Sequence, residues 1–464
     1  MNIKGKEIRK ALVVGLGYRT GLAASNFLSA RGVDVSVSDK KSAEDLKDVI
    51  SRLSPGVQVR AGGQDPSLLD EGFDLVVLSP GVPRSIPLIA AAYERNIPVI
   101  AEIELAYTFL RGSIIAITGT DGKSTTTTLT GHILRELGFQ SLVGGNIGIP
   151  LVSLVDESGD ESISVIELSS FQLETIDSFR PDAAAILNVT PDHLDRYDGM
   201  DDYFGAKKRV TLNQTADDFY IYNLDDEILR ARLDGVKAHI LTFSLNDTSA
   251  DAFYLDGSVY IRNGSKPVKV IDADRLFIMG FHNVQNVMAA LLLVISVFEK
   301  RGIIPDFTAL AGACYSFQGL EHRMERLGTF QGREFINDSK ATTVGAVTMA
   351  LRSITRPGVL ILGGRTKGDD YSRLRDEIAG RVKSLVLIGE STNDFSVVFR
   401  DFPFVEAGSM DDAVVKAMKE SSEGDIILLS PACASFDMFM SFEDRGRVFK
   451  NSYNKLVTGE LPWT

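Results

Sequence analysis

At 464 residues with 44% apolar side chains, the chain is too long for one hydrophobic core and apolar enough to build about three. A formal net charge of −13, with no Lys/Arg run longer than three, argues against nucleic acid or an anionic membrane as the main partner. Two cysteines, Cys314 and Cys433, are too few for a disulfide framework and lack metal-ligand spacing, which predicts a reducing, cytoplasmic setting. The polar start, Met1 to Lys10, leads only into a short strand, and no apolar run approaches the roughly eighteen residues of a membrane span.

The first segment reads as a βαβ unit: an apolar strand from Lys10 to Val14, the loop Gly15-Leu-Gly17-Tyr-Arg-Thr-Gly21, an amphipathic stretch from Leu22 to Ala30, and a strand from Val33 closed by Asp39. An acid at that point commonly binds a ribose hydroxyl. The loop spacing, G-x-G-x-x-x-G, is one residue longer than the dinucleotide fingerprint, so a nicotinamide reading is weak. A further strand from Asp74 to Leu78 ends in Ser79-Pro80-Gly81, either a plain turn or a ligand edge.

The second segment opens with Ile114-Ile-Ala-Ile-Thr118-Gly119-Thr120-Asp121-Gly122-Lys123-Ser124-Thr125, an apolar strand running into a glycine-punctuated loop and a helix start. That pattern is a phosphate cradle. Glycines let backbone N–H groups crowd phosphate oxygens, Lys123 reaches the terminal phosphates, and Ser124 offers a hydroxyl to Mg²⁺, so the chain is expected to bind ATP. Ile117 stands where the eight-residue phosphate-loop pattern has its first glycine, which marks a shorter subtype. Strands at Ser164–Glu167 and Ala183–Asn188 end in polar clusters that a doubly wound sheet would bring to the same edge, together with Gly144-Gly-Asn146-Ile-Gly148. Residues 217–275, rich in Asn-Gly and Asp-Gly turns, read as a β-hairpin insertion, and a helix follows Asn283 and Asn286.

The third segment restarts near Gly319. Apolar strands at Phe335–Ile336, Val359–Leu362, Ser384–Ile388 and Asp425–Leu429 end in Asn337-Asp338-Ser-Lys340-Ala-Thr342, Gly363-Gly-Arg-Thr-Lys367 and Ser430-Pro-Ala-Cys-Ala-Ser435. The expected architecture is α/β in three domains: an N-terminal Rossmann-like domain (1–111), a central mononucleotide-binding α/β domain of phosphate-loop type (112–319) and a C-terminal Rossmann-like domain (320–464).

In these motifs, taken in order over the whole length, the chain resembles the Mur ligases, ATP-dependent amino-acid ligases of peptidoglycan precursor synthesis. The shared motifs include Glu-Leu-Ser-Ser-Phe-Gln-Leu-Glu, Asp-His-Leu-Asp-Arg-Tyr and Leu-Ser-Pro-Ala-Cys-Ala-Ser-Phe-Asp. The resemblance is strongest to the branch that adds D-glutamate to UDP-N-acetylmuramoyl-L-alanine, and no Asp-Asn-Pro-Arg motif of the diaminopimelate- or lysine-adding branches is present. The alternatives are a folylpolyglutamate-type ligase, a nicotinamide oxidoreductase and a non-catalytic nucleotide switch.

The resemblance implies an ATP site at Gly119 to Thr125, with Asn283 and Asn286 near the adenine and Arg323 and Asp338 reaching the nucleotide from the third domain. It implies two Mg²⁺ ions held through Ser124, Glu167, His193 and a carbamylated lysine, which the offset from Gly205-Ala206 puts at Lys207 rather than Lys208. Lys123, His193 and Lys207 would carry catalysis. The UDP substrate would meet Gly17, Arg19, Thr20, Asp39, Ser79, Gly81, Asn146 and Ser169, with Arg19 and Thr20 both open as the pyrophosphate contact. D-glutamate would meet His322, Lys340, Thr342, Lys367, Ser435 and Phe442. Arg365 departs from the Asp usual in that loop. A monomer is favoured.

Overall fold

The computed structural model describes residues 1–3, 5–193, 196–264, 266–278 and 280–463. Leu194 and Asp195 of the Asp-His-Leu-Asp-Arg-Tyr motif lie outside them. The chain forms two compact units, Met1–Asp274 with Gln285–Cys314, and Arg275–Val284 with Tyr315–Thr464.

The first unit holds a two-stranded antiparallel ribbon, Asn2–Ile3 with Lys6–Glu7, and two larger sheets. Five parallel strands run in the order Gln58–Ala61, Asp34–Asp39, Lys10–Val14, Leu75–Leu78, Val99–Ala101. Chain order reverses direction between Lys10–Val14 and Leu75–Leu78, which opens a crevice at their carboxyl ends. The second sheet has nine strands, in the order Ser141–Gly145, Ile163–Glu167, Ser113–Thr118, Ala183–Ile186, Phe219–Asn223, His239–Ser244, Ala252–Leu255, Ser258–Asn263, Lys266–Asp272. Its first seven strands are parallel. Ala183–Ile186 and Ser113–Thr118 are buried throughout or nearly so, as strands covered by helices on both faces must be. Register sets Glu167 opposite Ile117 and Gly145, so those strand ends lie side by side.

Two expectations change here. Only Ala252–Asp272 forms antiparallel hairpins; Phe219–Asn223 and His239–Ser244 continue the parallel sheet around the helix Glu227–Ala231. Five residues are too short to show helical periodicity, and Asp234-Gly235 serves the return loop instead of a hairpin. Helix Phe281–Lys300, with a mean hydropathy of 1.6 over eighteen residues, is long and apolar enough to cross a membrane, contrary to the expectation that no run approaches that length. It is a core helix, with 78% of that window buried in the fold.

The second unit carries six strands in the order Glu325–Phe330, Arg333–Asn337, Ile426–Leu429, Gly358–Gly363, Val382–Ile388, Phe404–Ala407, parallel except for the first pair. The C-terminal helix Phe442–Thr458 packs on this sheet through Phe449 and Leu456.

Candidate active site

Strand Ser113–Thr118 hands the chain to the loop, and helix Lys123–Glu136 starts directly behind it. Gly122 precedes that helix at φ +81°, and a Cβ there would stand 2.4 Å from Asn286 Oδ1, so a larger residue is excluded twice over. Asn286 Oδ1 also accepts from Thr126 Oγ1 at 3.1 Å, which sets this residue against the loop itself. Asn188 shapes the loop from the next strand end. Its Oδ1 accepts from the N–H groups of Thr120 (3.0 Å) and Asp121 (2.8 Å), and its Nδ2 donates to Asp121 O (3.1 Å).

Two lysines meet on one carbonyl. Lys123 Nζ donates to Gly119 O at 2.9 Å and Thr120 O at 2.6 Å, and Lys207 Nζ donates to the same Gly119 O at 2.7 Å. Lys207 is 1% exposed, with its Nζ 4.4 Å from the Tyr203 ring centroid. Burial, and after it the charge of Lys123, pushes its amine down to about 7. Lys208, by contrast, points outward and donates to Asp234 O.

Glu167 is 2% exposed. Asn146 Nδ2 donates to its Oε1 at 2.7 Å, while Oε2 is buried with no hydrogen-bond partner among the described residues. A buried carboxylate oxygen left so is suited to a cation. Among the described residues no three His, Cys, Asp or Glu side chains form a metal cage, so a cation here would share its coordination with ligand oxygens, as Mg²⁺ does beside phosphates. Ser124, in the first helical turn, and Glu167 fit that role. His193 adopts φ +52°, sits 3.4 Å from Asp192 through Nε2, and packs against Phe171 and Tyr203 with ring centroids 4.9 and 6.4 Å apart. A left-handed histidine stores backbone strain, a common property of residues aimed at ligands.

A cleft of about 710 Å³ opens at the crevice of the five-stranded sheet, lined in part by Gly17, Arg19, Thr20, Asp39, Ser79, Gly81 and Asn146. Seven of the eight residues expected for the UDP substrate thus converge. Asp39 accepts from Leu16 N (2.6 Å) and Lys41 N (2.9 Å), so it organises the glycine loop as well as facing the cleft. Ser79 Oγ donates to Gly15 O at 2.7 Å. Arg19 Nη2 donates to the carbonyls of Gly145 (3.3 Å) and Asn146 (3.1 Å). Ser169 does not line the cleft; it caps the turn Ser170–Leu173 in a reciprocal box with Gln172, and Gln172 takes the lining position.

In the second unit, His322 (φ +64°) is buried, with its Nδ1 2.8 Å from Asn337 Nδ2. Burial pushes this imidazole below its usual range. Its ring meets Phe442 edge-on at 6.5 Å, and Lys340 Nζ stands 5.0 Å from the same Phe442 ring. Lys367 Nζ donates to Thr342 Oγ1 at 3.1 Å. Asp338 accepts from Ser430 Oγ (2.8 Å) and Met324 N (3.2 Å), and burial pushes its carboxyl up to about 7. Arg365 forks onto Glu390 at 3.0 and 2.9 Å. Asn283 and Ser435 are buried, Arg323 half-buried.

Sequence reasoning missed Arg445. It is 1% exposed, and it donates to Ser339 Oγ (3.0 Å), Ser339 O (2.8 Å), Cys433 O (3.1 Å) and Gly363 O (3.5 Å). It therefore ties together the three strand-end loops that carry Lys340, Lys367 and Ser435. Asn188, Asn337 and Gln172 stood inside recognised motifs, but Arg445 lies in a charged helix start that reads as a solvated face.

Residues 9–101 match the MurD-like N-terminal domain of Mur ligases, residues 117–294 the Mur ligase middle domain, and residues 322–433 the glutamate ligase domain of Mur ligases. The chain is 41% identical over 462 residues to UDP-N-acetylmuramoylalanine–D-glutamate ligase of Koribacter versatilis, covering 99% of this chain and all of that one. It is 42% identical to the protein of the same name from Acidobacterium capsulatum, covering 97% and 96%. Among solved structures, the MurF ligase of Thermotoga maritima in complex with ADP has a similar fold, with a TM-score of 0.59 at 15% identity over 96% of this chain and 98% of that one.

Proposed function

The chain belongs to the Mur ligase family, and from that premise we propose that it joins D-glutamate to UDP-N-acetylmuramoyl-L-alanine at the expense of ATP, releasing ADP and phosphate in peptidoglycan precursor synthesis. The observation that carries this is the near-full-length identity of 41% and 42% to two relatives bearing that name. We take the domains to be 1–111, 112–319 and 320–464, binding the UDP substrate, ATP and D-glutamate respectively, and the chain to act as a monomer in the cytoplasm.

A carboxylate is a poor acylating agent until its oxygen becomes part of a leaving group. The donor carboxylate attacks the γ-phosphate of ATP; the amine of D-glutamate then attacks the resulting acyl phosphate, and phosphate departs. Negative charge gathers at both steps, so the site needs cations more than a protein nucleophile. The N–H groups at the start of helix Lys123–Glu136, behind the loop that Asn188 shapes, would cradle phosphate oxygens, and Lys123 brings a point charge to them. Ser124, Glu167, His193 and Lys207 would hold two Mg²⁺ ions, which supply charge neutralisation at the transferred phosphoryl group. Carbamylation of Lys207 is supported by its buried amine: attack on CO₂ requires the neutral form, and a value of about 7 leaves much of it neutral at physiological pH. The carbamate would also replace the repulsion between Lys207 and Lys123 by attraction. His322, Lys340, Thr342, Lys367, Ser435 and Phe442 are our acceptor residues, with two lysines for two carboxylates.

Phosphate release from ATP tests the reading. It should require both UDP-N-acetylmuramoyl-L-alanine and D-glutamate; release stimulated by a folate and L-glutamate would move the chain to the folylpolyglutamate branch.

A further inference from the structure

We propose that Asn146 is a positioning residue that couples occupancy of the donor cleft to the Glu167 carboxylate. The inference rests on the proposed roles of the cleft as donor site and of Glu167 as a cation ligand.

Glu167 ends strand Ile163–Glu167, Asn146 directly follows the neighbouring strand Ser141–Gly145, and their backbones are locked. Asn146 N donates to Glu167 O at 2.8 Å, Gly145 N donates to Ile149 O at 2.8 Å, and a Cβ on Gly145 would stand 2.4 Å from Glu167 O. With its backbone so fixed, Asn146 moves chiefly through its side chain. That amide is the one side-chain donor to Glu167 among the described residues, and it takes Oε1, leaving Oε2 for a cation. A planar amide has a second N–H and an oxygen, and among the described residues neither has a protein partner. Asn146 also lines the cleft. It thus offers one N–H to the carboxylate and its remaining groups to whatever fills the cleft.

Arg19 reinforces the link from the other sheet. Its guanidinium holds the carbonyls of Gly145 and Asn146 while lining the same cleft, so a donor phosphate that draws on Arg19 pulls on the loop that carries the amide. A residue serving only to anchor the loop would need no open polar face toward the cleft. When a donor oxygen accepts the second N–H, the amide is pinned at both ends and Glu167 is held with Oε2 turned to the cation. Donor and cation then strengthen one another's binding by the same factor in both directions.

The test uses the full-length chain with a non-hydrolysable ATP analogue and Mn²⁺, the free ion being read by electron paramagnetic resonance, with and without UDP-N-acetylmuramoyl-L-alanine. In the wild type the donor should lower the Mn²⁺ Kd by about fivefold or more, and Mn²⁺ should lower the donor Kd by the same factor. Asn146→Ala should bind both ligands more weakly and reduce that ratio below about twofold, with an unchanged circular dichroism spectrum. Asn146→Ser, which keeps a shorter donor, guards against a folding failure and is read by the same ratio. Wild-type coupling in a folded Asn146 variant, or absence of coupling in a wild type that binds both ligands, overturns the inference. A wild type that binds neither donor nor cation overturns the functional reading instead.

Discussion

Lys207 is a lysine held where its charge is disfavoured, and both its stability effect and its chemistry follow from that. Its folded value of about 7 lies below the ordinary 10.5, so between those limits the unfolded chain binds the extra proton. Stability therefore rises with pH across that window; the contribution is complete above 10.5 and lost as the pH falls through about 7. Lys207→Met should flatten that slope in urea unfolding between pH 7 and 10. For activity, Lys207→Ala should lose turnover by a hundredfold or more, as loss of one transition-state contact typically does, and acetate should restore part of it by supplying the missing carboxylate. Rescue by a small amine in place of acetate would assign an ammonium role. Lys208→Ala, which removes a half-buried side chain bonded only to Asp234 O among the described residues, should stay near wild type. Lys123→Ala should lose turnover on a similar scale with the fold intact, because no other described side chain donates to Thr120 O.

At the scale of elements, the connecting helix Glu102–Tyr107 buries two carboxylates. Glu104 is answered by the N–H groups of Asp177, Ser178 and Phe179, whereas Glu102 has Val152 N at 2.6 Å and is pushed up to about 7 by burial. The sign is opposite to that of Lys207: the contribution of Glu102 is full below pH 4.5 and is lost as the pH rises through about 7. Glu102→Gln keeps an acceptor for Val152 N, so it should match the wild type near pH 4.5 and exceed it by on the order of 3 kcal/mol at pH 8. Urea midpoints at both pH values measure this. Arg445 joins three strand-end loops through a planar fork that lysine cannot reproduce. Arg445→Lys should raise the KM for the amino acid about tenfold or more and leave the KM for the UDP donor within about twofold.

The elements also divide by how visible they were. Val359–Leu362, Lys10–Val14 and Ile114–Thr118 announced themselves as apolar runs bounded by glycine or polar clusters, because a strand covered on both faces has no room for charge. Edge strands such as Gln58–Ala61 and Glu325–Phe330 are half-buried and interleave Gln58, Arg60, Glu325 and Arg326, so no apolar run marks them. Loop glycines, Lys123 and the strand-end clusters were legible because chemistry demands those residue types at those spacings. The contacts that hold them were less so: Asn188 and Asn337 stand inside recognised motifs, but they and Arg445 act across 67, 15 and 106 residues of chain, and a contact of that separation leaves no local pattern.

For the whole molecule, matches to the N-terminal, middle and glutamate ligase domains of Mur ligases follow one another along the chain, and the two near-full-length relatives share a single name. The most direct test is the product itself. The chain is incubated with ATP, Mg²⁺, UDP-N-acetylmuramoyl-L-alanine and an equimolar mixture of D-glutamate, L-glutamate, L-alanine, L-lysine and meso-diaminopimelate, and the nucleotide products are identified by mass and by the chirality of the added residue. The account predicts one product, the donor extended by a single D-glutamyl residue; a product bearing any other amino acid, or no product beside folded and ATP-binding protein, would contradict it.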